Sequence, residues 1–167
     1  SVVPALRFDA DSQFGTNLSP KLALRIAPHP AISVRFSYGA GFRAPLFKEL
    51  LLLIENAAVG YVVDGNLSLR PETSNSYNLG IESSPRQWLT LSGNFYRNDL
   101  RNLIQPLLVQ TASSTSPQRF SYGNIAAAYT QGVELSLKLR KSDNLGLELG
   151  YTLTDAQDVQ QQRELEG

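Results

Sequence analysis

Cysteine and methionine are absent from this 167-residue sequence, and histidine occurs once. Without cysteine the chain can form no disulfide framework, no thiol nucleophile and no thiolate metal site. The one histidine, His29, stands between two prolines. We interpret it as a turn residue rather than as a catalytic base or a metal ligand.

The sequence also lacks an excess of charge of either sign and a long hydrophobic run. Fifteen basic residues balance fifteen acidic ones, and no basic stripe with interleaved aromatic residues is present, so no nucleic acid partner is expected. The longest apolar run, Leu50 to Ile54, is far shorter than the roughly 20 residues of a membrane-spanning helix. If this chain crosses a bilayer, strands must do so.

The sequence does contain regular alternation of apolar and polar residues, the period of a β-strand with two different faces. This alternation predicts seven strands, in residues 2–9, 18–27, 31–39 and 74–83, a segment from 88, a segment ending near 140, and a segment from 145.

Each predicted strand separates its two faces by chemistry. In residues 74–83, for example, the two faces carry Tyr77, Leu79 and Ile81 on one side and Asn78, Gly80 and Glu82 on the other. Within the seven segments no charged residue falls on an apolar face. The polar faces are instead rich in serine, threonine, asparagine and glycine.

The predicted links between strands alternate between short and long. Tight turns are expected at residues 28–30, 84–87 and 141–144, and longer links at 10–17, 40–73 and about 105–119. In an up-and-down meander this places all tight turns at one end of the sheet. Such asymmetry is typical of transmembrane β-barrels, which have short periplasmic turns and long extracellular loops.

The physics of the bilayer favours a barrel over a soluble sandwich, although a sandwich core would also exclude charge. Strands can cross lipid only in a closed barrel, where every backbone polar group is paired. An arginine or lysine facing lipid at mid-depth costs about 2 to 4 kcal/mol, whereas a watery lumen accepts polar residues. The sequence therefore predicts an all-β fold, an antiparallel up-and-down meander of about seven strands within a transmembrane barrel.

Several blocks of sequence resemble one known family. The blocks are Phe42-Arg43-Ala44-Pro45, Leu69-Arg70-Pro71-Glu72 and Gly132-Val133-Glu134. In this order they resemble the C-terminal half of the barrel of TonB-dependent outer-membrane receptors, and the resemblance covers roughly residues 5–155.

The resemblance implies a segment of a 22-stranded barrel in the bacterial outer membrane. Receptors of this family hold a plug domain inside the barrel and capture a siderophore, haem, cobalamin or a similar scarce nutrient at the extracellular face. Import is driven by the inner-membrane TonB complex, which binds near the receptor's N-terminus. No part of residues 1–167 resembles the plug, the TonB-binding segment or the closing C-terminal strand, so we expect a partial barrel domain.

The expected partners of this segment follow from the same resemblance. They are the remainder of the barrel, the plug, the TonB complex through the missing N-terminal part, the lipid bilayer and a small nutrient ligand. The implied mechanism is binding and gated transport. We therefore expect no enzyme activity, no catalytic residue, no cofactor and no metal site.

The longest predicted link, residues 40–73, contains the candidate site residues. Arg43 and Glu72 lie at its two ends, so we expect them to approach each other and, with Pro45, Arg70 and Pro71, to form a structural motif at the loop base. The candidate ligand contacts are Phe42, Arg43, Glu49, Glu55, Tyr61, Asp64 and, from the next link, residues 110–119. Residues 46–56 could form a short helix or extend the strand.

A dinucleotide-binding unit is an alternative interpretation of the same region. Gly39, Gly41 and Ala44 follow a predicted strand with glycine-motif spacing, and Asp64 stands where such a fold places its ribose-binding acid. The predicted strand argues against this, because one of its faces is polar (Ser33, Arg35, Ser37), and strands of a doubly wound parallel sheet are apolar on both faces.

Two further alternatives concern catalysis and passive transport. The carboxylate pairs Glu49 with Glu55 and Asp9 with Asp11 lack the orienting partner and pocket that acid–base catalysis needs. A passive porin or an adhesin with the same wall remains open, because pattern alone does not separate it from a receptor.

Overall fold

The computed structural model describes residues 1–56, 60–113, 116–142 and 145–158. Within these residues the chain forms nine strands and one helix. In chain order they are β1 (Val2–Asp11), β2 (Gly15–His29), β3 (Ile32–Arg43), α1 (Phe47–Leu51), β4 (Leu53–Asn56), β5 (Tyr61–Asp64), β6 (Glu72–Arg86), β7 (Leu89–Gln110), β8 (Gln118–Ser142) and β9 (Leu145–Asp158).

Seven long strands form an antiparallel meander in the order β1-β2-β3-β6-β7-β8-β9, as the alternation predicts. The prediction missed the two short strands within residues 40–73. There β4 pairs antiparallel with β5, and β5 pairs parallel with the start of β8. The described chain is therefore a nine-stranded sheet that is antiparallel except at one short pairing. It does not close, because β1 pairs with β2 alone and β9 with β8 alone.

The strand register aligns the apolar faces into rows across the sheet. Partner residues in adjacent strands share a face, and one such row consists of Val2, Leu24, Phe36, Leu79, Phe95, Val133 and Leu153. Leu79 is 41% exposed, Leu135 51% and Leu153 58%. Apolar residues with this exposure are not the core of a sandwich, so this face is free to meet lipid.

The opposite face carries rows of small and polar residues in the same register. One of these rows contains Ser37, Asn78, Tyr96, Gly132 and Thr154. The Tyr96 hydroxyl lies 2.7 Å from the Thr154 hydroxyl, across the buried Gly132. Polar groups on this face thus bond to one another.

On β6, β7 and β8 the apolar band ends at one rung of the sheet. On the outward face this rung contains Tyr38, Tyr77, Arg97 and Gln131. Arg97 bonds to Asp99 at 2.9 Å and lies over the Tyr129 ring at 4.7 Å. From Leu89 to Arg97 the strand extends about 26 Å, at about 3.3 Å per residue, close to the roughly 25 Å apolar band of an outer-membrane barrel.

The observed lengths of the links between strands agree only in part with the predicted lengths. Two-residue links at 30–31 and 87–88 lie at one end of the sheet; the third predicted turn, 141–144, falls partly outside the described residues. At the other end, residues 44–71 are long, but 111–117 are shorter than predicted because β7 and β8 extend beyond the apolar band.

The link between β1 and β2 was wrongly predicted to be long, since it consists of residues 12–14. The Asp11 carboxylate accepts the backbone N–H groups of Gln13 and Phe14 at 2.8 and 2.9 Å, which stabilises a tight turn. Gly15 then adopts a positive φ of 77°, a conformation that glycine tolerates best.

One short helix interrupts the strands. In α1 the Glu49 carboxylate reaches back to the backbone N–H of Leu46 at 2.8 Å, which stabilises the first turn. Of the alternatives for residues 46–56, the helix is present, and it is followed by β4 rather than by an extension of β3. No helix in the described part of the chain is long and apolar enough to span a membrane.

Candidate functional site: the strap at the long-link end

The strap, which we define as residues 44–56 and 60–71, joins β3 to β6 and contains α1, β4 and β5. Its base is a cluster of one arginine and two glutamates. The Arg43 guanidinium donates two parallel hydrogen bonds to Glu72, from Nε to Oε2 at 2.6 Å and from Nη2 to Oε1 at 2.7 Å. Such a forked arrangement is the strongest geometry for an arginine–carboxylate pair.

Glu49 is the second glutamate whose carboxylate binds Arg43. The Arg43 Nη1 donates to both of its oxygens, at 3.1 and 3.2 Å. Because Glu49 also caps α1, this contact ties the helix directly to the end of β3. Glu49 is only 6% exposed, so we assign it to the loop base rather than to the surface that a ligand could contact.

Glu72 further anchors the strap to β7. Its Oε1 accepts the backbone N–H of Ile104 at 2.7 Å. This cluster lies five rungs beyond the Tyr38–Tyr77 rung that ends the apolar band, so it stands outside the membrane-spanning segment. The hydrogen bonds from Arg43 hold the pKa of Glu72 below its usual range, against the opposing effect of burial, and the Ile104 N–H adds to the lowering. Glu72 raises the pKa of Arg43 in turn.

Two asparagines hold the returning end of the strap. The Asn124 side chain accepts the backbone N–H of Arg70 at 2.8 Å and donates to the carbonyl oxygens of Arg70 and Asn102, at 2.9 and 2.6 Å. Asn102 has a φ of 55°, a left-handed conformation that asparagine tolerates better than most residues. Its side chain donates to the Pro71 carbonyl oxygen at 3.4 Å.

The strap packs on the polar side of the sheet. Leu50 and Leu69 of the strap are 5% and 4% exposed and form a small core with Ile104 of β7. Ile104 shares its face of β7 with the inward-facing Asn94 and Asn98 by strand alternation. Phe14, from the β1–β2 turn, and Tyr122 of β8 pack against the same core. The strap therefore covers the polar face at the long-link end of the sheet.

The far end of the strap is attached to β8. Residues 61–64 pair with 118–121, and the Arg119 Nε lies 2.5 Å from an Asp64 carboxylate oxygen. Just after β5, Asn66 of the strap makes a second attachment to β8 by donating a hydrogen bond to the Tyr122 carbonyl oxygen at 2.7 Å. These contacts link the candidate residues of two separate links, 40–73 and 105–119.

The structure thus places the predicted site residues in two groups, those in or beside the Arg43 cluster and those away from it. Arg43, Glu49 and Glu72 meet at the base, beside the buried Pro45, and the Arg70–Pro71 backbone is held by Asn124 and Asn102. Phe42, Tyr61 and Asp64 are half-buried and Glu55 is exposed. The Phe42 carbonyl oxygen accepts a hydrogen bond from Arg7 at 3.0 Å.

Three residues at the site were missed by sequence analysis, namely Asn66, Asn102 and Asn124. Arg119, which contacts Asp64, belongs to the predicted range 110–119, of which residues 114–115 lie outside the described residues. Asn102 and Asn124 lie inside predicted strand or link segments where asparagine is ordinary. The signal that could have found Asn66 is its position at the start of the Asn-Leu-Ser turn, where its side chain accepts the Ser68 N–H at 2.9 Å.

The dinucleotide-binding interpretation is wrong. Gly39 and Gly41 lie inside β3, which pairs antiparallel with β6, and α1 spans only Phe47–Leu51. Asp64 ends β5, which is antiparallel to β4. No glycine-rich turn therefore leads from a strand into the N-terminus of a long helix. Within the described residues no group of three or more metal-ligating side chains is present either.

Comparison with known proteins decides the family. Residues 1–166 match the family described as TonB dependent receptor-like, β-barrel. The chain belongs to the TonB-dependent receptors. It is thus part of a bacterial outer-membrane receptor rather than of an enzyme.

Relatives of this TonB-dependent receptor segment include transporters of different nutrients. The chain is 32% identical over 132 residues to the vitamin B12 transporter BtuB of Vibrio vulnificus, covering 78% of this chain and 19% of that protein. It is 28% identical over 163 residues to the ferric enterobactin receptor PirA of Pseudomonas aeruginosa, covering 90% and 22%. The chain thus spans about a fifth of these relatives.

Solved structures show the same wall geometry. The siderophore receptor PirA from Pseudomonas aeruginosa superposes with a TM-score of 0.82 at 26% identity, covering 94% of this chain and 31% of that one. The hemophore receptor HasR of Serratia marcescens, at 18% identity and a TM-score of 0.72, shows the shared fold alone.

Proposed function

We propose that this segment belongs to a receptor for TonB-energised uptake of a siderophore–iron complex or a similar scarce nutrient, such as haem or cobalamin. The observation that carries the proposal is the strap, a folded element fixed over the polar face at the long-link end of the sheet. A receptor needs fixed groups at this end to bind its cargo, and the strap offers partly accessible side chains held in place by the Arg43–Glu72 pair.

We assign ligand binding to the candidate residues that take no part in the Arg43–Glu49–Glu72 cluster. We assign Tyr61 and Asp64 to the ligand-facing surface, since each remains partly accessible. Phe42, also a candidate, shares the outward face of β3 with Phe36 and Tyr38 by strand alternation, so its side chain is not assigned to that surface. Arg43, Glu49 and Glu72 position that surface through their mutual bonds. The relatives named as vitamin B12 and ferric enterobactin transporters support a metal chelate or corrinoid as cargo, without choosing between these classes.

Uptake by cells that carry the complete receptor tests this proposal. Cells lacking their own receptors would be given iron chelates of several classes, haem and cobalamin, each labelled, with and without a functional TonB complex. We expect uptake of one class, abolished when TonB is removed. Entry that depends only on solute size and persists without TonB would identify a passive porin instead.

Binding by variants of the complete receptor tests the role of the strap. Tyr61→Ala should weaken binding of the transported compound about tenfold, equivalent to about 1.4 kcal/mol. Tyr151→Ala is the matched control, because Tyr151 lies on the outward face and is 60% exposed. Equal binding by the two variants would remove Tyr61 from the binding surface.

A further inference from the structure

Two arginines stand directly opposite each other on the inward face of the wall, far from the strap. Arg25 of β2 and Arg35 of β3 are register partners, so their Cβ atoms are about 4.5 to 5.5 Å apart. They lie near the 30–31 link, at the periplasmic end of the sheet. Like charges placed in this way destabilise a sheet unless an anion lies between them.

The described residues neutralise this pair only weakly. Glu82 reaches Arg35 at 3.7 Å, longer than the roughly 2.7 to 2.9 Å of a charge-assisted hydrogen bond. Arg25 donates its Nε to the Ser33 hydroxyl at 3.1 Å and has no acidic partner in the described part of the chain. Lys21, on the same face of β2, likewise has none there.

Two other inward-facing basic residues are paired at short range, whereas Arg25 and Arg35 stand opposite each other in register. Arg7 bonds to Asp9 at 2.8 Å, and Lys138 to Glu148 at 3.0 Å. Because Arg25 and Arg35 place two like charges opposite each other with only Glu82 nearby at 3.7 Å, the pair favours an anionic partner from outside this segment.

The surroundings of the pair are suited to an oxyanion. The two arginines border a hollow of about 500 Å³ whose wall also includes Ser33, Ser37, Asn78 and Asn94. Hydroxyl and amide groups can donate to the oxygens that remain after a guanidinium has bound. The forked donors of arginine match the two oxygens of a carboxylate.

We propose that Arg25 and Arg35 form a carboxylate-binding site on the inner wall, near the periplasmic end. The carboxylate can come from a receptor segment outside residues 1–167 or from a carboxylate-bearing cargo molecule. The inference rests on the proposed function only through the assignment of the polar face to the barrel interior. It requires neither a particular nutrient nor active uptake.

Zero-length cross-linking in the complete receptor tests the site. Arg25→Lys and Arg35→Lys keep the positive charge and supply an amine that a carbodiimide joins to a touching carboxylate. Mass spectrometry then identifies the joined peptide, with and without the transported compound present. Arg7→Lys is the positive control, expected to couple to Asp9. Ser37→Lys, on the same face of β3, is the background control: its yield measures how often a lysine placed elsewhere on the inward face couples to any carboxylate.

Coupling of the Arg25→Lys and Arg35→Lys variants to a peptide outside residues 1–167, in the absence of cargo, would assign the carboxylate to the receptor itself. Coupling to a carboxylate-bearing cargo molecule would assign it to the cargo. Either should exceed the Ser37→Lys yield at least fivefold. Coupling confined to Glu82, no coupling while Arg7→Lys couples, or an equal yield from Ser37→Lys would overturn the site. None of these readouts depends on uptake, so they are separable from failure of the proposed function.

Discussion

Arg43 and Glu72 are 29 positions apart in the chain and are joined by two parallel hydrogen bonds of 2.6 and 2.7 Å. The pair closes the base of the strap, where β3 ends and β6 begins. Because Glu72 also accepts the Ile104 N–H and Glu49 joins Arg43 to α1, this contact connects four elements, β3, α1, β6 and β7. The position of the strap therefore depends on it.

Replacing Glu72 with glutamine should loosen the strap. The variant loses the negative charge shared by Arg43 and Ile104, and hydrogen bonds to charged groups contribute about 1.5 to 3 kcal/mol. We expect local opening of residues 66–72 to become roughly thirtyfold more frequent, which hydrogen exchange of the complete receptor measures. Glu82→Gln is the control, because its partner Arg35 is 3.7 Å away and both side chains are largely exposed. Equal exchange in the two variants would contradict the anchoring role.

The strap base should resist mild acid. The pKa of Glu72 is lowered in the folded state, chiefly by Arg43, so its contribution to stability is fully present above the ordinary glutamate pKa of about 4.3. That contribution is lost only as the pH falls through the lowered folded value. Hydrogen exchange of residues 66–72, corrected for intrinsic rates, should stay constant from pH 7 to about pH 5 and rise below about pH 4.

The Glu72→Gln variant supplies the control for this pH dependence. It should show open-strap exchange at every pH and no further rise in acid. A rise at pH 5 to 6 in the unmodified receptor would mean that another group controls the base.

Gly132 should be intolerant of even a methyl group. A Cβ at this position would come within 2.6 Å of the Tyr96 hydroxyl oxygen and would also clash with the Leu153 carbonyl oxygen. Gly132→Ala should therefore displace Tyr96 or bend β9, at a cost of about 1 to 3 kcal/mol, and lower the yield of folded receptor in the outer membrane. Gly150→Ala is the matched control, since nothing lies within 4 Å of its added Cβ. Equal yields would show that the wall adjusts freely at Gly132.

The meander could be predicted from sequence because its signal is repeated on every strand. Leu79, Phe95 and Val133 alternate with polar residues, and the observed register places them in one row. The proximity of Arg43 and Glu72 was also predictable, since both flank a link between adjacent antiparallel strands. In both cases local pattern and neighbouring connectivity contained the information.

The strap could not be predicted in the same way. β4 and β5 are four residues each, too short for a clear period, and the parallel pairing of β5 with β8 joins residues far apart in sequence. The upper parts of β7 and β8 were missed because the outward positions Arg97, Asp99 and Arg101 are charged, which interrupts the alternation of apolar and polar residues. Asn102 owes its left-handed backbone to contacts with Pro71 and Asn124, which no local pattern reveals.

The most direct test of the account is the sidedness of β8 in the membrane. Single cysteines at positions 133 to 139 of the complete receptor, in a background without other accessible cysteines, would carry a nitroxide spin label, and its collisions with oxygen and with a polar nickel complex would be measured in vesicles. We predict high oxygen accessibility at Val133, Leu135, Leu137 and Leu139, and low accessibility at Glu134, Ser136 and Lys138. Accessibility without this two-residue period, or with its phase reversed, would contradict the assignment of the apolar rows to lipid.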